Sequence, residues 1–325
     1  MYYKTIPYVS SEVSEVFFGT ATKDMQAGKN VNDLLDAIFD MGVNAFDLAR
    51  NYGSAEKSFG YWLEARKNRD KVVILSKGGH PSVFGKKRIN EKEIRKDFEE
   101  SCRELHTDYI DIYLLHRDDP SVEVGEIVEV LNTMHVEGKI GAFGGSNWTH
   151  QRIAEANTYA SEHGLIPFSV SSPNFGLAEQ VNDPWGGGCV TISGPQNEDA
   201  RAWYREQNMP VIAYSSLGRG FFSGKLKSSD EGHERGILDS AARKGYCCSQ
   251  NYERLRRCEE LAAQKGVTVS QIALAWIFAQ DINTFAVVST TKPERMRQNI
   301  AALSLALMPE EADYLDLKRG SLWTY

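Results

Sequence analysis

The sequence predicts a (β/α)8 barrel, and three observations carry that prediction. Short apolar runs of strand length alternate with helical patterns almost to the end, the runs number eight, and no Gly-rich dinucleotide turn follows the first of them. An open doubly wound sheet would normally place G-x-G-x-x-G between its first strand and helix, whereas Gly19-Thr20-Ala21-Thr22 stands there. The 325 residues are read as one barrel domain spanning 1–325, a size such barrels reach without a second domain.

In chain order the expected strands are Val16–Gly19, Val43–Asp47, Val72–Ser76, Tyr109–His116, Ile140–Gly145, Phe168–Ser171, Val211–Ser215 and Phe285–Ser289. Their continuous apolar character suits parallel strands covered by helices. Between the first two, Val31, Leu34, Leu35, Ile38 and Phe39 fall on one helical stripe. Asn90 with Glu93 three residues on reads as an N-cap with a capping-box carboxylate, ahead of Ile94, Phe98, Cys102 and Leu105. Further helices are expected over Glu123–Val136, Gln151–Glu162, Glu198–Gln207, Tyr252–Gln264, Val269–Ala279 and Glu294–Leu303. Two stretches break the rhythm, Asn174–Gly194 and Gly218–Gln250. Both follow strands, so they belong to the C-terminal face as lids or as surface insertions.

Charge and composition exclude several classes. With 37 Lys+Arg against 44 Asp+Glu and no long block of like charge, nothing marks a nucleic-acid or anionic-membrane surface. The longest apolar stretch, Ile272–Ala279, is far short of the ~18 residues of a membrane span, and Met1–Glu15 lacks a signal-peptide core. A cytoplasmic protein is expected, with its five cysteines (Cys102, Cys189, Cys247, Cys248, Cys258) as reduced thiols. No helix face separates itself as an interface, so the oligomeric state is not set by the sequence.

Polar residues at the C-terminal ends of barrel strands are the candidates for chemistry. Asp47 ends the second strand, Tyr52 lies just beyond it, Lys77 follows the third and His116 ends the fourth. A phenol titrates near ~10 and needs a neighbouring cation to act as an acid near neutrality. Lys77 supplies that cation, Asp47 keeps it charged, and His116 holds a substrate oxygen towards Tyr52. Such a group protonates a developing alkoxide and calls for a hydride donor on the other face of the carbonyl.

These residues carry a family resemblance. Phe46-Asp47-Leu48-Ala49-Arg50-Asn51-Tyr52-Gly53 resembles the aldo-keto reductase motif D-T-A-x-x-Y-G, with Leu48 for the usual Thr. Lys77 and His116 match the remaining members of that family's tetrad. The resemblance implies that Ser146 and Asn147 grip a nicotinamide carboxamide, with Ser171 where the family often has a Gln for the same group. It implies that Tyr214 stacks on the nicotinamide while Ser215, Leu217, Gly218, Arg219 and Gly220 line the pyrophosphate. Ser289, Thr290, Thr291, Arg295, Gln298 and Asn299 resemble the adenosine-phosphate segment, although Ser289 stands where many members place a Lys. Arg295 favours NADP(H), with NAD(H) as the alternative.

The implied protein is a bacterial-type, NADP(H)-dependent reductase acting on a small carbonyl compound. Arg117, Trp148 and Trp185 are the candidate substrate residues, and charged groups beside aromatic walls point to a sugar-like carbonyl. The alternatives are a nucleotide-sensing regulatory subunit of the same fold, a Schiff-base aldolase using Lys77, and a glycosidase. An intact tetrad disfavours the first, and the Asp47 partner of Lys77 disfavours the second. No metal site is read, and the C-terminal Trp323-Thr324-Tyr325 is either a flap over the pocket or a loose end.

Overall fold

A computed structural model describes residues 1–82 and 84–322, so the expectation for Trp323-Thr324-Tyr325 lies outside the described residues. Eight parallel strands close on themselves: β1 (Val16–Gly19), β2 (Ala45–Asp47), β3 (Val73–Gly78), β4 (Ile110–Leu115), β5 (Ile140–Ser146), β6 (Val170–Ser172), β7 (Val211–Ala213) and β8 (Thr284–Val288). β8 pairs with both β1 and β7, which closes the ring. All eight expected strands are present, with ends displaced by no more than two residues.

The expected helices are present too, and local chemistry explains their ends. Thr268 and Gln271 form a reciprocal capping box at the start of Val269–Phe278. Gly266, in the left-handed region at φ +66°, ends Ser249–Lys265. The Asn90 side chain accepts from Glu93 N at 3.1 Å as expected, but the reciprocal half of that box is a correction. The Glu93 carboxylate accepts from Arg88 Nε at 2.8 Å, a charged donor that outcompetes a backbone N–H.

Three features escape the periodicity reading. A hairpin of Tyr3–Lys4 with Val13–Ser14 precedes the barrel, and helix Ala55–Arg66 buries Phe59 and Trp62 against Phe46 of β2. The second long loop holds a helix of its own, Ser240–Tyr246, capped by Asp239. All five cysteines are free. Among the described residues no helix is long and apolar enough to cross a membrane, and no acidic, His or Cys cluster could hold a metal ion.

Candidate active site

Strand side chains alternate between the barrel interior and the helical shell. Phe17, Ala45, Val73, Leu75, Ile112, Leu114, Ala142, Val170, Ile212, Phe285 and Val287 form one buried interior cluster. Continuing each strand by two residues from its last member of that set, or four in β5, gives Gly19, Asp47, Lys77, His116, Ser146, Ser172, Tyr214 and Ser289. All of these except Ser172 line one cavity of about 1420 Å³ at the C-terminal face. The polar floor of the site is therefore the top layer of the barrel.

Tyr52 reaches this floor from the loop after β2, and the loop is firmly tied. Leu48 N donates to Leu75 O at 2.8 Å and Arg50 N to Lys77 O at 2.9 Å. The Arg50 guanidinium bonds the buried Glu56 at 2.7 Å and Glu100 at 3.2 Å, and Ser76 Oγ donates to Glu56 at 2.6 Å. Gly53 turns the chain at φ +59°, and a Cβ there would stand 2.8 Å from Gln26 O. Leu48, in place of the usual Thr, is buried, and its carbonyl accepts from Lys77 Nζ at 2.9 Å.

At the floor, Lys77 Nζ donates to Asp47 Oδ1 and lies 3.4 Å from the Tyr52 hydroxyl. The His116 ring meets the Tyr52 ring edge-on, with centroids 5.7 Å apart. The structure thus brings together all four residues expected to act as a unit. Burial disfavours the Lys77 charge, yet Asp47 and Tyr52 outweigh it and hold the ammonium above its ordinary pKa. Burial also lifts the Asp47 carboxyl, against the pull of Lys77.

For Tyr52 the balance corrects a simple expectation. Lys77 does pull the phenol down, but burial pushes harder, and the net shift in the free protein is upward. Burial holds His116 well below the ordinary histidine value, and the positive charges of Lys77, Arg117 and His80 add to it. His116 is therefore a neutral hydrogen-bonding group, and its Nδ1 has no partner among the described residues.

Beside the tetrad, Tyr214 OH donates to Asn147 Oδ1 at 2.7 Å, and Asn147 Nδ2 donates to His116 O at 3.2 Å and Ser146 Oγ at 3.1 Å. Ser146, Asn147, Tyr214, Ser215, Leu217, Arg219, Gly220, Ser289 and Arg295 all line the main cavity. A second cavity of about 760 Å³ is lined by Thr290, Thr291, Gln298 and Asn299, and shares Ala21, Leu217, Ser223, Ser289 and Arg295 with the first. The two form one trough from the tetrad to the helix Pro293–Ala301. Gly218 lies behind the lining, buried at φ +56°, and shapes the turn. The Arg219 guanidinium pairs with Asp239 at 3.0 Å and lies over the Trp185 ring.

Two expected site residues are corrected. Ser171 faces outward because it alternates with the inward Val170, and its hydroxyl bonds Tyr204 OH at 2.8 Å in the helical shell. Trp148 is fully buried outside the cavity, where it packs on Phe168 with ring centroids 5.2 Å apart. A Cβ on Gly145 would stand 2.4 Å from the indole, so the glycine makes room for it. Arg117 and Trp185 do line the cavity, Trp185 with centroids 6.1 Å from Tyr214. Sequence reasoning missed His80, whose ring lies 5.0 Å from that of His116, and Cys189 beside Arg117. Neither lies on a strand end, so no periodic signal marks them.

A family model described as Aldo/keto reductase family matches residues 15–319. Norsolorinic acid reductase of Aspergillus flavus is 28% identical over 296 residues, 87% of this chain and 70% of the relative. A probable aryl-alcohol dehydrogenase of Saccharomyces cerevisiae is 29% identical over 297 residues, 87% of this chain and 86% of the relative. An aldo-keto reductase of Emericella nidulans is 29% identical over 299 residues, 87% of this chain and 71% of the relative. These relatives are fungal, and none of their names supports the bacterial-type or sugar-directed expectation.

Proposed function

The chain belongs to the aldo/keto reductase family, and from that premise we propose that it reduces an aldehyde or ketone to the alcohol, with Tyr52 as the proton donor. The observation that carries this reading is the Asp47–Lys77–Tyr52 chain of contacts on the cavity floor, faced by a neutral His116. The two adjoining cavities and their charge suit an extended dinucleotide, with Lys225 and Arg295 along them unpaired by any carboxylate among the described residues. When bound, NADP(H), or NAD(H) as the alternative, supplies the hydride to the carbonyl carbon.

Ser146 and Asn147 would hold the carboxamide, Tyr214 the nicotinamide face, and Ser215, Leu217, Arg219 and Gly220 the pyrophosphate. Thr290, Thr291, Arg295, Gln298 and Asn299 would hold the adenosine end, and the Arg295 guanidinium suits a 2′-phosphate. Ser289 has its hydroxyl committed to Gly19 O at 2.7 Å, so the phosphate falls to Arg295. A ring N–H of neutral His116 donates to the substrate oxygen and fixes its distance from Tyr52. Tyr52 then gives its proton to the alkoxide, a far stronger base than a phenolate even after burial, and Lys77 stabilises the phenolate left behind.

For the body of the substrate, an aryl carbonyl is favoured over the sugar-like compound expected from the sequence. Half-exposed Trp185 offers a flat apolar wall beside Tyr214, and one relative is named for aryl alcohols. The test is to titrate the protein with NADPH and NADH and follow nucleotide absorbance with benzaldehydes and aldoses. Saturable binding, tighter for NADPH, with turnover of aryl aldehydes is the expected result. Failure of both nucleotides to bind overturns the reading.

A further inference from the structure

We propose that the substrate end of the cavity is built for a carbonyl compound that also bears a carboxylate, with Arg117 as the group that receives it. The inference rests on the reductase reading and specifies its substrate class.

The charges around the cavity are nearly all paired. Lys77 meets Asp47, Lys87 meets Asp119 at 2.7 Å, Arg152 meets Asp118 at 3.3 Å, and Arg219 meets Asp239 at 3.0 Å. Among the described residues, three lining cations have no carboxylate partner: Lys225, Arg295 and Arg117. Arg295 also lines the second cavity, and Lys225 adjoins its Gly224, so these two stand at the nucleotide end where phosphates would meet them. Arg117 stands at the opposite end, next to His116 in the chain.

Its guanidinium is held without being neutralised. One NH donates to His116 O at 2.8 Å and another to Cys189 Sγ at 3.5 Å; the rest of the fork meets no acceptor among the described residues. The stem runs beside the Gly186-Gly187-Gly188 loop, where a Cβ on Gly188 would stand 3.3 Å from Arg117 Cδ. A half-buried cation held through both terminal nitrogens and lacking a counter-ion is a ready partner for an anionic ligand, whose charge offsets the cost of burial. A planar fork with free donors suits a carboxylate in bidentate geometry. Arg117 is hydrogen-bonded to the His116 carbonyl and lines the same cavity as Tyr52 and His116, so a carboxylate bound there lies within one small molecule's reach of the reacting carbonyl.

The test compares carboxybenzaldehydes with their uncharged carbamoyl counterparts in the wild-type protein and in Arg117→Met and Arg117→Lys, with NADPH present. The expected result is a kcat/KM at least about tenfold higher for a carboxylated isomer. Arg117→Met should collapse that ratio and Arg117→Lys restore part of it. As a measurement independent of the variants, benzoate should bind the wild-type NADPH complex and benzamide should not. Equal turnover of charged and neutral aldehydes, or a ratio unmoved by Arg117→Met, overturns the inference while the reductase reading stands. No turnover of any aldehyde overturns both.

Discussion

The Tyr52 hydroxyl lies 3.4 Å from Lys77 Nζ, while that ammonium is in closer contact with Asp47 Oδ1 and with Leu48 O at 2.9 Å. Lys77 is thus anchored by Asp47 and the backbone and faces the phenol as a fixed charge. Tyr52→Phe keeps the ring and removes the acid, so kcat should fall about a hundred- to ten-thousand-fold. Nucleotide affinity, followed by tryptophan fluorescence, should stay within about twofold because the residues proposed to hold the nucleotide are untouched. Substantial reductase activity in this variant would remove Tyr52 from the role of acid.

The same geometry sets a pH profile. His116 is held neutral through the range in which histidine ordinarily titrates, near ~6.5, so carbonyl reduction should show no limb there. Tyr52 is raised above its ordinary value by burial against the pull of Lys77, so the acid stays protonated through neutral pH. Reduction should therefore hold its rate to alkaline pH and fall only as the phenol ionises, whereas alcohol oxidation, which needs the phenolate, should rise with pH. A reduction rate that changes severalfold around the ordinary histidine pKa would contradict the assignment of a neutral His116.

Much of this site was legible in the sequence because barrel strands convert spacing into direction. Asp47, Lys77 and His116 sit two residues beyond inward Ala45, Leu75 and Leu114, so locating the strands was enough to aim them. Ser171 shows where that logic needs the phase as well as the place. Ser169, Ser171 and Ser172 flank one apolar Val170, and the choice between adjacent serines depends on which face Val170 takes. Trp148 departs from its expected place for a different reason: its destination is the space left by Gly145, a packing fact with no periodic signature. The pairing of Arg219 with Asp239 links two parts of a long loop and was equally invisible.

Gly53 couples the turn to Tyr52. Its φ is +59°, and a Cβ would meet the Gln26 carbonyl that already accepts from Ser54 N at 2.9 Å. Gly53→Ala should cost about 1–3 kcal/mol of stability and lower kcat by displacing Tyr52. Gly138→Ala is the control: at φ +71° with nothing within 4 Å, it should cost about 1 kcal/mol and leave kcat/KM unchanged. Calorimetry with steady-state kinetics on both variants checks this, and equal effects on kcat would refute the coupling.

Asp183 ties down the loop that carries Trp185 and Cys189. Its carboxylate accepts from Trp185 N at 2.7 Å and from Cys189 N at 2.8 Å. Burial opposes its charge, but the backbone donors of Cys189 and Trp185 prevail and hold the carboxyl below its ordinary range. A depressed acid contributes stability that is present above the unfolded value near ~3.9 and is lost as pH falls through the folded one. The tether is therefore fully in place at neutral pH. Asp183→Asn replaces one acceptor oxygen with a donor and strands one of the two N–H groups, freeing Gly186-Gly187-Gly188, all at positive φ, to move. The expected outcome is faster limited proteolysis between Trp185 and Cys189 and a KM for the carbonyl raised severalfold. With the tetrad untouched, kcat should stay within about twofold. Unchanged cleavage and unchanged KM would show that the loop is held by Tyr214 and Arg219 against Trp185 and not by the Asp183 carboxylate.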